Sequence, residues 1–160
     1  MKNLYHLCIS LFFISFLFNV FSLQGQTTLT PDEIIAKLTE GNERFMSDQR
    51  MYPNLNQDRR TETAENGQHP YVTVITCSDS RVPVENIFDA GIGDIFVIRV
   101  AGNVVNKNEA GSIEYGVDHL HTPLFVVLGH THCGAVTAAA THAEVHGNIP
   151  HLIESIEPAV

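Results

Sequence analysis

Two short stretches concentrate the residues of this chain that can do chemistry. One is Cys77-Ser78-Asp79-Ser80-Arg81 and the other is His130-Thr131-His132-Cys133. Two thiolates and one imidazole form a soft Cys2His donor set that suits zinc. Three protein ligands leave one tetrahedral position open, the mark of a catalytic rather than a structural zinc site, and zinc there lowers the pKa of a bound water to roughly 7. Asp79 and Arg81 stand two residues apart, so an extended backbone directs both to one side. An Arg fork there holds a carboxylate in one orientation and keeps it ionised.

For this chemistry the two stretches must meet. Each follows an apolar, β-branched run, Tyr71 to Thr76 before Cys77 and Leu124 to Gly129 before His130. Runs this short and this rich in Val and Ile read as buried strands. Ligands in parallel α/β sheets bind beyond the carboxyl ends of strands, which is where both stretches lie.

Thr30-Pro31-Asp32-Glu33 is a capping box with Pro at the first helical position, so a helix is predicted to about Met46. Ile34, Ile35, Leu38, Phe45 and Met46 form its apolar side, and Gly41 weakens its middle. Ser47 to Pro70 is polar and irregular, with a short helix near Arg59 to Glu65. After the first strand, Pro83 to Phe88 reads as a short helix ended by Gly91. Ile95 to Val100 is a second strand, and Ala101-Gly102-Asn103 a tight turn in which Gly102 permits close backbone approach. A helix follows over Glu109 to His121, stopped by Pro123, and Leu124 to Leu128 is the third strand. Helices over Gly134 to Ala140 and Ile149 to Ile156 complete the pattern. A helix starting at Gly134 offers its N-terminal N–H groups to the Cys133 thiolate. Alternating strands and helices give an α/β fold, a mostly parallel β-sheet core flanked by helices with an N-terminal helical arm.

With 160 residues the chain suffices for one domain with a core. Nine basic against 18 acidic residues, net −9, argue against a nucleic-acid surface. Residues 1–26 read as a secretory signal peptide, with Lys2, an apolar run from Leu4 to Val20 and a polar exit. The run also approaches the ~20 residues of a membrane span, which leaves an uncleaved anchor as the alternative. Removal of the leader takes Cys8 with it and leaves Cys77 and Cys133. In an exported protein such a pair also reads as a disulfide. A staple, however, needs none of Asp79, Arg81 or His130. His142 and His146 have i,i+4 spacing but lack a third ligand and read as a solvated face.

Cys77-Ser78-Asp79-Ser80-Arg81-Val82-Pro83 and Gly129-His130-Thr131-His132-Cys133-Gly134-Ala135 resemble the two signature motifs of the β-class carbonic anhydrases, and Gly93 to Arg99 through Gly102-Asn103 resembles the stretch between them. The resemblance runs from about Pro31 to the end of the chain. It implies a zinc lyase that reversibly hydrates carbon dioxide to bicarbonate and a proton by zinc-bound hydroxide, with Cys77, His130 and Cys133 on Zn2+. Asp79 would orient the hydroxide and Arg81 hold Asp79. A resting state with Asp79 on the zinc is implied as well. Gln68 and Gly134 are implied at the substrate, Gln68 across a subunit boundary. The resemblance further implies a homodimer or higher homo-oligomer. Residues 27–160 are then the enzyme domain, shortened at its C-terminal side relative to that family, and the protein is exported, periplasmic or secreted. It meets a membrane only if the N-terminal segment is retained. Hydrolysis of a related heterocumulene (carbonyl sulfide or carbon disulfide) on the same scaffold is the alternative chemistry. A non-catalytic exported zinc-binding protein and a disulfide-stapled module are alternatives of another class. His132 falls where the family varies. Val74 stands where a bicarbonate-responsive subgroup carries Trp, so that inhibitory site is not expected.

Overall fold

The structure is a computed structural model that describes residues 27–160, so the export segment read over residues 1–26 lies outside the described residues. Three parallel strands, β1 (Val72–Thr76), β2 (Ile95–Arg99) and β3 (Phe125–Leu128), form a sheet in the order β2-β1-β3. Val72 pairs with Ile95 and Thr76 with Arg99 on one side, and Thr73 pairs with Phe125 and Thr76 with Leu128 on the other. Thr76, Arg99 and Leu128 therefore end their strands in one row. The three loops that leave this row share one edge of the molecule.

Helices cover both faces of β1, whose side chains alternate between them. α1 (Pro31–Met46) starts at the capping box, where the Glu33 N–H donates to Thr30 Oγ1 at 3.3 Å and the Thr30 N–H to Glu33 Oε2 at 2.7 Å. Ile34 and Leu38 of α1 join Val84 of α3 (Val84–Ile87) in a cluster with Val72, Val74 and Ile95. The buried stripe is narrower than the sequence suggests. Ile35 is 51% exposed and Met46 73%. Gly41 is a docking point rather than a weak spot, because a Cβ there would lie 1.9 Å from the Phe88 carbonyl oxygen.

α2 (Gln57–Asn66) is the short helix of the polar segment. On the other face of the sheet, α4 (Lys107–Glu114) runs on into a wider π-helical turn over Tyr115–His119. The change of pitch falls at Gly116, where a Cβ would lie 2.3 Å from Thr73 Oγ1, so only a bare Cα lets this turn rest on β1. α5 (Gly134–Ala140) and α6 (Ile149–Ile156) pack together through Ala139, Ile153 and Ile156, with Val104 beneath them. β1 is buried throughout, as its composition predicts. β3 departs from that expectation: Phe125 is 39% exposed and Val127 64%. β3 is one of the two edges of the sheet, and an apolar run reports hydrophobicity, not whether a neighbour covers it. Among the described residues no helix is long and apolar enough to cross a membrane.

Candidate metal centre

Beyond Thr76 the chain leaves the sheet and turns at Cys77, and beyond Leu128 it does the same at Gly129. Because the strands end level, Cys77, His130 and Cys133 converge, their donor atoms all within 4.8 Å of one another. The Cys77 and Cys133 sulfurs are 3.9 Å apart and both thiols are free. A disulfide needs about 2.05 Å, whereas two sulfurs each about 2.3 Å from a tetrahedral zinc stand about 3.8 Å apart. His130 Nδ1 bonds the Thr131 carbonyl at 2.9 Å, while His130 Nε2 is buried with no hydrogen-bond partner among the described residues. A buried ring nitrogen without a partner is rare unless a ligand takes it. The spacing of the sulfurs, the orphaned nitrogen and the softness of the set all fit a zinc ion on these donors.

Asp79 and Arg81 form a bidentate pair. Arg81 Nε and Nη2 reach the two carboxylate oxygens at 2.9 and 2.7 Å, and the Arg81 N–H donates to Oδ1 at 2.9 Å. The Arg81 side chain, then its N–H, hold the Asp79 carboxyl well below the usual carboxylate range against a small opposing effect of burial. Asp79 raises Arg81 in turn. Asp79 Oδ2 also lies 3.9 Å from His130 Nε2, so the pair borders the donor set. Burial pushes the Cys77 thiol up, but the Gly102 N–H, the His130 ring, the Asp79 backbone and Cys133 together bring it down to about 7. His130 is raised, first by the neighbouring Cys77 thiol. The surroundings of Cys77 thus favour its thiolate before any cation is added.

Gly102, Asn103, Gly129, His130, Cys133 and Val136 line a cleft of about 100 Å³ beside the donors. Its apolar wall comes from Val136 of α5 and bare glycines, not from the strands. A family model described as carbonic anhydrase matches residues 72–160, more than half the chain and all of this site. The chain belongs to the β-class carbonic anhydrase family.

Carbonic anhydrase 2 of Mycobacterium tuberculosis is 45% identical over 128 residues, covering 77% of this chain and 61% of that protein. The carbonic anhydrase of Mycolicibacterium smegmatis is 42% identical over 127 residues, with 77% and 61% covered. The chain therefore spans about 61% of the length of these curated relatives. Among solved structures, the β-carbonic anhydrase CcaA superposes with a TM-score of 0.56 at 31% identity, covering 76% of this chain and 60% of that one. A tetrameric β-carbonic anhydrase from Sordaria macrospora gives 0.56 at 28% identity, with 76% and 61% covered.

Not every residue singled out from the family motifs comes to the cluster. Gln68 is exposed before the N-terminal end of β1, and the donors lie past its C-terminal end, so one chain does not bring them together. Gly134 opens α5 with clear space around its Cα. His132, at φ +55°, contributes its carbonyl, which accepts from Arg81 Nη2 at 3.1 Å. His142 and His146 are exposed and apart from the cluster. The end of β2, the turn after it and the last residue of β1 supply further polar groups that the sequence alone does not single out. Asn103 Nδ2 and Thr76 Oγ1 both donate to the Leu128 carbonyl at 2.9 Å, fixing the end of β3 from which His130 follows. Arg99 reaches the Cys77 and Asp79 carbonyls. A polar residue at the end of an apolar strand was the one signal for them.

Proposed function

We propose that this protein catalyses the zinc-dependent, reversible hydration of carbon dioxide to bicarbonate and a proton. Cys77, His130 and Cys133 would hold the zinc ion, and Asp79 and Arg81 would act beside it. The observation that carries this reading is the orphaned, buried His130 Nε2 facing two free thiols in one small cluster. When bound, zinc supplies Lewis acidity that makes a hydroxide nucleophile available at neutral pH. The protein's own part is orientation. Asp79 is kept ionised and accepts hydrogen bonds only, so it turns a nucleophile's O–H toward itself and a lone pair toward the cleft. Arg81 fixes that carboxylate by its two-point grip. The Val136 wall suits an apolar gas, and the cleft is small.

The same proposal includes a homo-oligomer. Its supports are the tetrameric solved relative, the exposed edge of β3, and Gln68, which can serve a site only in another copy. Export follows from the sequence of residues 1–26 and is checked by N-terminal sequencing of the mature protein. Zinc content and stopped-flow hydration of carbon dioxide test the chemistry. The parent should carry one zinc per chain and hydrate carbon dioxide. Cys77→Ser should lose the metal. Asp79→Asn should keep it and slow by about a hundredfold, the range of a positioned acid–base group. A zinc-loaded parent no faster than Cys77→Ser would overturn the activity, and full speed in Asp79→Asn would overturn the role of Asp79.

A further inference from the structure

The backbone that carries Cys77 and Asp79 has no strand to lean on. The ladder between β1 and β2 closes where the Val100 N–H donates to the Thr76 carbonyl at 3.0 Å. Past that bond β2 curls into the Ala101–Asn103 turn, and β1 continues alone into Cys77, which is only 4% exposed. The Arg99 side chain fills the gap. Its Nε donates to the Cys77 carbonyl at 3.2 Å and its Nη2 to the Asp79 carbonyl at 2.5 Å. One planar, rigid fork thus spans two carbonyls two residues apart, where a neighbouring β-strand would offer alternate N–H groups.

We infer that Arg99 is a positioning residue that sets Asp79 relative to Cys77 by clamping the backbone on either side of Ser78. Two arginines divide Asp79 between them: Arg81 grips the carboxylate and Arg99 the carbonyl. A carboxylate held only at its side chain swings with its backbone, so the Arg81 grip gives one orientation only while the Arg99 grip is intact. Arg99 follows from the register, because it is the partner of Thr76 and so is level with the exit of β1. Lysine can replace it only in part, since an ammonium is a point donor and lacks the fixed fork. The consequence for hydration rests on the role given to Asp79 above, whereas the clamp itself is a property of the loop.

Two amides report on the clamp without reference to activity. The Arg81 N–H donates to Asp79 Oδ1 at 2.9 Å and the Val82 N–H to the Asp79 carbonyl at 3.2 Å, so both depend on where Asp79 sits. The experiment is residue-resolved hydrogen exchange on the full chain, zinc-free and zinc-loaded, for the parent, Arg99→Ala and Arg99→Lys. In Arg99→Ala the Arg81 and Val82 amides should exchange about tenfold faster while Val72 to Ile75 keep the parent rate, with partial recovery in Arg99→Lys. Zinc should still bind one per chain, and kcat for carbon dioxide should fall by roughly ten- to a hundredfold with KM unchanged, as for a misplaced reacting group. Unchanged exchange at Arg81 and Val82 would overturn the clamp. So would equal acceleration along β1, which would make Arg99 a general staple of the sheet. If the exchange pattern appears in a zinc-loaded protein that hydrates no carbon dioxide, the clamp stands and the proposed activity falls.

Discussion

Gly102 holds its place through two requirements at once. It sits at φ +71°, in the left-handed region, and donates its N–H to Cys77 Sγ at 3.4 Å. A Cβ there would stand 2.5 Å from Ile156 Cδ1 and 3.1 Å from the Ala135 Cβ. Gly102→Ala should lower stability by about 1–3 kcal/mol, the range for a side chain forced into such a backbone. If Cys77 holds zinc as proposed, the change should also weaken zinc binding by roughly tenfold, because the N–H oriented on the Cys77 sulfur is displaced. Thermal unfolding and chelator competition measure the two effects, and a stability loss with unchanged zinc affinity would separate the turn from the site. The sequence discloses this glycine as a point of close approach, and it discloses Cys77, Asp79, Arg81, His130 and Cys133 because reactive residue types crowd into two short stretches. It does not disclose Arg99 or Asn103. A single arginine or asparagine after a strand looks the same whether it meets solvent or a neighbouring loop, and only the level ending of three strands decides between these. Gln68 shows another limit: a residue singled out by resemblance lies before β1, whereas the donors of its own chain lie past the strand ends.

The first helix shows how far an element can be read and where the reading stops. Its start is written in the capping box, and its buried stripe begins with Ile34 and Leu38 at i,i+4 spacing. The stripe then passes through Gly41, which hydrophobicity alone leaves out. Helix propensity favours Ala over Gly by about 1 kcal/mol, so Gly41→Ala would stabilise an isolated helix. In this fold the opposite is expected. The methyl would meet the Phe88 carbonyl oxygen at 1.9 Å, a backbone atom that cannot rotate away, and the neighbouring bond from Asn42 Nδ2 to the Ile87 carbonyl (3.2 Å) would be displaced. A net loss of about 1–3 kcal/mol follows from overpacking, measurable as a lower urea midpoint. A gain in stability would mean that α1 does not lie on α3 at this distance in solution. Gly116 obeys the same logic on the opposite face, where packing rather than propensity sets the pitch of the helix after α4. The third strand is the element in which local sequence misleads most, since Phe125 and Val127 have core-like character and an edge position.

Over the whole molecule, the sheet with helices on both faces was legible, because strand-like and helix-like runs alternate with clear stops between them. The order β2-β1-β3 was not, because nothing in an apolar run names its neighbours. Beside the apolar packing of Ile34 and Leu38, a buried polar contact ties α1 to α3. Asp89, with a side chain 1% exposed, accepts from Arg44 Nε at 2.6 Å and from the Met51 and Tyr52 N–H groups at 2.9 and 3.0 Å. It joins α1 and the loop after α1 to the chain end of α3. Burial alone would raise its pKa, but Arg44 and the two N–H groups outweigh burial and lower it. A carboxyl whose pKa is lower folded than unfolded adds stability that is fully present above the unfolded value, about 3.9. That stability is lost as pH falls from there through the folded value. Asp89→Asn removes the charge while keeping the shape and the tolerance for the φ of +45° at this position. At pH 7 the variant should be less stable by about 1–3 kcal/mol, the scale of charge-assisted hydrogen bonds lost in a buried site. Toward pH 3 its urea midpoint should fall less steeply than the parent's, so the two curves converge on the acid side. Parallel curves across that interval would show that Arg44 and Asp89 hold the arm by shape alone. Convergence would place the acid sensitivity of the arm in this one ion pair, at the end of α1 and away from the Cys-His-Cys edge.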